Sequence, residues 1–83
     1  MFRVELSDRA EKELKRLDKI YQPKVAKYLD LLSLDPFMGQ KMTGELKGYW
    51  RIKIPPLRIV YAPDFENRII WVKAIGFRGG VYR

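Results

Sequence analysis

The stretch YWRIKIPPLRIVYA, residues 49–62, predicts two strands joined by a tight turn at Pro55-Pro56. Apolar residues alternate with cations on both sides of the prolines, as in strands whose two faces meet different surroundings. Arg51 and Lys53 share one face of the first strand, and a hairpin brings Arg58 beside them. This stretch therefore predicts a hairpin with one apolar face and one basic face.

The turn between these strands consists of two prolines. A proline at the third position of a turn is disfavoured in type I turns and fits a cis peptide bond. We therefore hypothesise a rigid turn with a cis bond between Pro55 and Pro56. Such a turn fixes the register of Lys53 against Arg58.

The predicted basic face has two interpretations. Like charges on neighbouring strands repel, and no Asp or Glu lies between Glu45 and Asp64 to compensate them. The clustering then indicates a site for phosphate groups. The alternative is the ordinary solvent face of an antiparallel sheet, where Lys and Arg are common. The pattern alone leaves both interpretations open.

The flanking sequence supplies the rest of the fold. Residues 1–6 and 68–75 have the patterns of strands. Between them we expect two amphipathic helices, the first beginning after Ser7 and the second ending before Asp35-Pro36. These elements predict a single domain over residues 1–83 with an α+β fold in the order β-α-α-β-β-β. Its two-helix hairpin packs on one face of a small antiparallel sheet. The predicted apolar helix faces consist of Ala10, Leu14, Leu17, Val25, Tyr28, Leu29 and Leu32.

The composition restricts the available chemistry. Cysteine and histidine are absent from the 83 residues, which excludes disulfides, thiolate metal sites and the commonest general base. We expect no metal and no cofactor, so any catalysis must use Lys, Arg, Tyr, Asp or Glu. The net charge of +7 favours a polyanion such as nucleic acid, or an acidic protein partner. We see no targeting pattern and no long apolar segment, and we expect a cytoplasmic protein that does not bind membranes.

The closing segment IGFRGGVYR, residues 75–83, contains a second group of candidate residues. Its glycines allow the backbone to turn sharply after the last strand, which would display Arg78 and Tyr82 near the sheet edge. The alternatives are a frayed tail, since chain ends are often disordered, and a packing role for Tyr82. Spacing alone does not decide between them.

Both segments resemble motifs of RelE/ParE-type toxins. LKGYWRIKIPPLRIVY, residues 46–61, resembles the central hairpin of that family, where Leu-x-Gly precedes a pair of cations and a further Arg follows. IGFRGGVYR resembles the family's closing motif of Gly, Arg and Val-Tyr. The similarity spans nearly the whole chain and implies a toxin of a type II toxin–antitoxin system with an acidic antitoxin as partner. RelE-like members are endoribonucleases that cut mRNA, many in the ribosomal A site, whereas ParE-like members inhibit DNA gyrase.

Basic residues stand at the positions that RelE-like toxins use, which favours cleavage of RNA by its own 2′-hydroxyl without a metal. The resemblance implies that Lys53 is the general base, because neighbouring cations disfavour its protonated form. Arg51 and Arg58 would hold the scissile phosphate. Arg78 would stabilise or protonate the leaving group, and Tyr82 would stack on or orient the nucleotide.

Two features depart from the family pattern. Phe77 stands where many relatives have a histidine, and it cannot transfer protons, although it can stack on a base and so bind substrate. The turn, which usually contains glycine, is Pro55-Pro56 here. Two alternatives therefore stay open: a ParE-like inhibitor of DNA gyrase without nuclease activity, and a non-catalytic nucleic-acid-binding domain.

Overall fold

Two helices cover one face of a five-stranded sheet in the computed structural model, which describes residues 1–77. The predicted order β-α-α-β-β-β is confirmed, with one short strand added before the central hairpin. A 3-10 turn at Gly44–Leu46 precedes that hairpin. The elements are β1 (Arg3–Leu6), α1 (Asp8–Arg16), α2 (Gln22–Leu34), β2 (Gln40–Lys41), β3 (Trp50–Ile54), β4 (Leu57–Asp64) and β5 (Ile69–Phe77).

The sheet is mixed rather than purely antiparallel. Its strand order is β1-β5-β4-β3-β2, and β1 lies parallel to β5 while the other pairs are antiparallel. The two helices carry the chain from β1 across the sheet to β2 at the opposite edge, and the following strands lead back to β5, which runs parallel beside β1. The apolar pattern of residues 1–6 predicts a strand but not the direction of its partner, so this feature depends on the tertiary structure.

The helices begin and end where the sequence predicts. Ser7 caps α1, because its Oγ accepts a hydrogen bond from the Ala10 backbone at 3.0 Å and donates one to the Lys73 carbonyl at 2.8 Å. The Glu13 carboxylate accepts from the backbone N–H of Ile75 at 3.0 Å. Pro23 lies in the first turn of α2. Through Ser7 and Glu13, α1 is therefore bonded directly to the backbone of β5.

The main core lies between the helices and the sheet. Val25, Leu29 and Leu32 of α2 are buried against the apolar face of the hairpin. A second, smaller apolar cluster lies on the other face of the sheet around Val60 and Ala74. Within residues 1–77, neither helix is long and apolar enough to span a bilayer. The first five residues of β4 are buried as a result of having packed neighbours on both faces.

Candidate nucleic-acid interface

The predicted cations lie together on the face of the sheet turned away from the helices, which we call the open face. Lys53 of β3 lies directly opposite Arg58 of β4, and Arg51 lies opposite Val60, one pair further along the hairpin. Side chains at opposed positions have Cβ atoms about 4.5–5.5 Å apart, and diagonal neighbours about 7–8 Å. Arg51, Lys53 and Arg58 therefore form one group, which we call the basic cluster.

The turn between β3 and β4 is the predicted one. The peptide bond between Pro55 and Pro56 is cis, and Ile54 pairs with Leu57 across it. A cavity of about 280 Å³ opens beside the turn. It is lined by Lys53, Pro55, Pro56, Leu57 and Arg58. The hypothesised cis bond and the predicted opposition of Lys53 and Arg58 are both observed.

The three cations differ in their exposure to solvent. Lys53 is exposed and Arg51 is half-buried. Arg58 is only 8% exposed, which is low for a charged residue on the solvent face of a sheet. Arg58 lies on β4, the central strand of the sheet, between Lys53 of β3 and Gly76 of β5. A cation in this position interacts more strongly with a phosphate group, because little water screens it.

Arg51 has an unsatisfied donor. Its Nε is buried, and no hydrogen-bond acceptor for it lies among the residues that the structure describes. Neither Arg51 nor Lys53 takes part in an ion pair within this part of the chain. Unsatisfied buried donors are uncommon and require an explanation, of which a missing anionic ligand is one.

A buried tyrosine fixes the backbone behind Arg51. The Tyr61 hydroxyl donates to the Pro36 carbonyl at 2.9 Å and accepts from the Gly39 N–H at 3.0 Å. A Cβ on Gly39 would collide with the carbonyl oxygen of Arg51 and lie 2.6 Å from the Tyr61 hydroxyl. Only a glycine allows the chain to pass this close to β3. The sequence alone does not indicate this contact, because Gly39 is one of several glycines in the polar segment that connects α2 to β3.

Burial raises the pKa of Tyr61 above its ordinary value of 10.0, against an opposing contribution from the Gly39 hydrogen bond. The folded protein therefore holds the neutral phenol more firmly than the unfolded chain does. This contribution to stability is complete below pH 10.0 and is lost as the pH rises through the higher pKa of the folded state. We expect the free energy of unfolding of Tyr61→Phe to fall less steeply above pH 10.0 than that of the unmodified protein. Urea unfolding across this range measures the difference, and parallel curves for the two proteins would contradict it.

The structure does not bring Phe77 to the basic cluster. Phe77 lies opposite Leu57, on the helix-covered face, and its ring contacts that of Tyr21 edge-on at 5.7 Å. Its neighbour Gly76 lies opposite Arg58 instead. The thickness of the sheet separates Phe77 from the cations, so the predicted stacking on a base at the cluster lacks a geometric basis. Strand alternation could have indicated this, but a β-bulge in β5 alters the alternation.

The two remaining predicted residues, Arg78 and Tyr82, lie outside the described residues, and their roles stay predictions. Within residues 1–77, no group of three or more acidic side chains is arranged to hold a metal ion. The described part of the site thus consists of a basic cluster on a sheet face with a cavity beside it, an arrangement suited to binding a phosphate group.

Comparison with known proteins identifies the class. Residues 4–82 match the family model described as "ParE toxin of type II toxin-antitoxin system, parDE". The relative "Putative toxin RelE1" of Methanocaldococcus jannaschii is 30% identical over 86 residues, covering 99% of this chain and 96% of the relative. The chain belongs to the RelE/ParE superfamily and is a toxin of the type II toxin–antitoxin class.

Solved structures confirm the predicted fold class. A chain of the toxin–antitoxin complex RelBE2 from Mycobacterium tuberculosis superposes with a TM-score of 0.87 at 22% identity, covering 93% of this chain and 98% of that chain. The isolated E. coli RelE toxin superposes with a TM-score of 0.82 at 24% identity, covering 99% of this chain and 92% of that chain. At these identities the likeness concerns the fold and not the activity.

Proposed function

We propose that this toxin is an endoribonuclease that cleaves mRNA by metal-independent attack of the 2′-hydroxyl on the adjacent phosphate. The observation that carries the proposal is the opposed pair of Lys53 and Arg58, with Arg51 one position further along. Like charges on neighbouring strands destabilise a sheet, and neither Arg51 nor Lys53 takes part in an ion pair within residues 1–77, so a bound phosphate group would stabilise this arrangement.

The reaction requires three things of the protein. The 2′-oxygen must lose its proton as it attacks phosphorus, the pentavalent phosphorane must be stabilised, and the departing 5′-oxygen must gain a proton. The products are a 2′,3′-cyclic phosphate and a free 5′-hydroxyl. No water or metal ion enters this step, so cationic side chains suffice for the electrostatic part.

The positions of the cations suggest how these tasks are divided. Lys53 is exposed and therefore accessible to a 2′-hydroxyl, which supports its role as general base. Arg58 is buried and firmly positioned, which suits a guanidinium that holds the scissile phosphate through two parallel hydrogen bonds. The Nε of Arg51, which meets no hydrogen-bond acceptor within residues 1–77, offers a further donor to the same phosphate group.

The other assignments rest on the family resemblance. Arg78 follows Phe77 in the chain, just after β5, and is proposed to stabilise the leaving oxygen. Tyr82 is proposed to stack on or orient the nucleotide. An arginine rarely gives up its proton, so charge stabilisation is the more natural of the two roles of Arg78.

An acidic antitoxin and the ribosome are the proposed partners. The similar RelBE2 protein was crystallised as a toxin–antitoxin complex, and the net charge of +7 attracts an acidic protein as well as RNA. A ribosome would hold the message against the basic cluster and supply acceleration through proximity. This proposal locates the protein in the cytoplasm, where translation takes place.

A second candidate is ParE-like inhibition of DNA gyrase without cleavage. It is favoured by the matching family model, which describes ParE toxins, and by Phe77 at a position where many relatives have histidine. In that case the basic cluster would bind a protein or DNA surface. A non-catalytic nucleic-acid-binding domain is the remaining alternative.

Purified toxin distinguishes these functions. We expect it to cut mRNA in the presence of translating ribosomes, to leave 2′,3′-cyclic phosphate and 5′-hydroxyl ends, and to leave gyrase supercoiling unaffected. The same preparation with its antitoxin added in excess is the control and should cut nothing. If the toxin inhibits supercoiling and leaves the mRNA uncut, it is a gyrase inhibitor instead. RNA binding without either effect would indicate a non-catalytic domain.

A further inference from the structure

The open face continues beyond the basic cluster to an exposed tryptophan. Trp71 of β5 lies opposite Ala62 of β4 and is 48% exposed. Ala62, the residue opposite, has a small side chain, and the Trp71 side chain hydrogen-bonds to the Asp64 carboxylate. The distance from Arg58 to Ala62 along β4 is about 13 Å at the ~3.3 Å rise of a strand. This is a span of a few nucleotides.

Lys73 points into the region between Trp71 and the basic cluster because of a β-bulge. Val60 pairs with Ala74 and Tyr61 with Val72, so Lys73 is the extra residue in β5. Bulges re-aim side chains and are frequent beside active sites. This one is held in place by hydrogen bonds from Ser7, whose N–H donates to the Val72 carbonyl at 2.9 Å and whose Oγ donates to the Lys73 carbonyl at 2.8 Å.

The ring of Tyr49 holds the ammonium group of Lys73 in position. The Lys73 Nζ lies 4.3 Å from the centre of the Tyr49 ring, within the range of a cation–π contact. Between this pair and Trp71 is a cavity of about 320 Å³. It is lined by Ser7, Tyr49, Ala62, Trp71, Val72 and Lys73.

We propose that Trp71 and Lys73 form a subsite for single-stranded RNA, in which Trp71 stacks on a base and Lys73 binds a phosphate group beyond the scissile one. This inference rests on the proposed RNA-cleaving function and extends its substrate to a single strand of several nucleotides. Single-strand-binding surfaces combine a cationic track with aromatic stacking faces, and the open face has both. Stacking tolerates any base, so the subsite contributes affinity without sequence preference.

The charges on the open face also mark where the subsite ends. On the far side of Trp71 lie Glu5, directly opposite in β1, and Asp64 near the end of β4. Glu5 is paired with Arg3 at 2.9 Å. Carboxylates repel phosphate groups, so the RNA backbone is expected to run on the Lys73 side and to end at Trp71.

The test uses 2′-O-methyl RNA oligonucleotides, which bind but cannot be cut by 2′-hydroxyl attack. Lengths of about two and about ten nucleotides lie below and within the ~4–16-nucleotide footprints of single-strand-binding folds, and the shorter strand cannot reach from the basic cluster to Trp71. We expect Trp71→Ala in the full-length toxin to weaken binding of the longer strand about tenfold and the shorter strand hardly at all. Trp71→Phe should keep most of the affinity, and Lys73→Ala should reduce the salt slope of binding by about 0.7.

Phe65→Ala is the matched control, because Phe65 is an exposed aromatic residue in the β4–β5 turn that stacks on Phe37 instead. Equal effects of Trp71→Ala and Phe65→Ala would refute the subsite. If Trp71→Ala weakened binding of the antitoxin but of neither strand, the surface would be an antitoxin contact and the proposal would be wrong. Failure of the unmodified toxin to bind either strand would also refute the subsite, whereas the RNA-cleaving function is tested separately by the cleavage assay with translating ribosomes.

A spectroscopic measurement provides a check that does not depend on removing Trp71. The protein has two tryptophans, so in a Trp50→Phe background the fluorescence comes from Trp71 alone. We expect the longer oligonucleotide to quench this fluorescence through stacking and the shorter one to leave it unchanged. Unchanged fluorescence at saturation with the longer strand would contradict stacking on Trp71.

Discussion

Replacing Arg58 by Met is expected to lower the rate of RNA cleavage by about 10²–10³-fold, the usual loss on removing one preorganised donor to a charged transition state. Arg58 is the best positioned member of the basic cluster, since it lies on the central strand and is 8% exposed. Methionine retains much of the apolar stem, so the comparison isolates the guanidinium. Single-turnover cleavage at saturating toxin measures the effect on the chemical step.

Two further variants test whether the guanidinium or only its charge is needed. Arg58→Lys keeps the charge but cannot make two parallel hydrogen bonds, and we expect a rate between those of Arg58→Met and the unmodified toxin. Lys19→Met removes an exposed cation between the helices and should leave the rate nearly unchanged. Near-ultraviolet circular dichroism of each variant checks the fold. If folded Arg58→Met cleaves RNA at the normal rate, the proposed phosphate site is wrong.

Gly39→Ala is expected to destabilise the protein by about 1–3 kcal/mol, the usual cost of forcing extra atoms into a packed region. The added methyl group meets the carbonyl oxygen of Arg51, which belongs to the backbone of β3 and cannot rotate away. In a domain of this size, a loss of 1 kcal/mol lowers the melting temperature by roughly 4–8 °C. Thermal and urea unfolding measure both quantities.

The Tyr61→Phe background separates the two collisions that a methyl group on Gly39 would cause. Tyr61→Phe alone leaves the Gly39 N–H and the Pro36 carbonyl without their partner, at a cost of about 1–3 kcal/mol. If the carbonyl of Arg51 dominates, Gly39→Ala should remain strongly destabilising when the hydroxyl is absent. If Gly39→Ala does not lower the free energy of unfolding of the Tyr61→Phe variant, the close approach of Gly39 to β3 is not the cause of the destabilisation.

The hairpin illustrates what sequence reasoning can predict. Alternation separates the faces of β3 and β4, and the two prolines leave a single tight turn, so the pairing of Lys53 with Arg58 follows from local pattern. The helices were predicted for the same reason, since Ser7 and Asp35-Pro36 mark their ends in the sequence itself. These features depend on residues within a few positions of one another.

Local sequence patterns do not predict the burial of Arg58 or the position of Phe77. The burial of Arg58 depends on what the rest of the chain places around the hairpin and not on the hairpin alone. Phe77 faces the helices because the bulge at Lys73 shifts the alternation of β5. The run of apolar residues in β5 looks continuous in the sequence and gives no sign of this shift.

The basic cluster thus has two origins. The sequence by itself determined that Arg51, Lys53 and Arg58 share one face of a hairpin, because side chains alternate along a strand. The tertiary structure alone decided how deeply each is buried, that Phe77 lies across the sheet from them, and that Trp71 and Lys73 share their face. Those features depend on contacts between segments far apart in the chain, such as the hydrogen bonds from Ser7 to the β5 bulge, which no local pattern encodes.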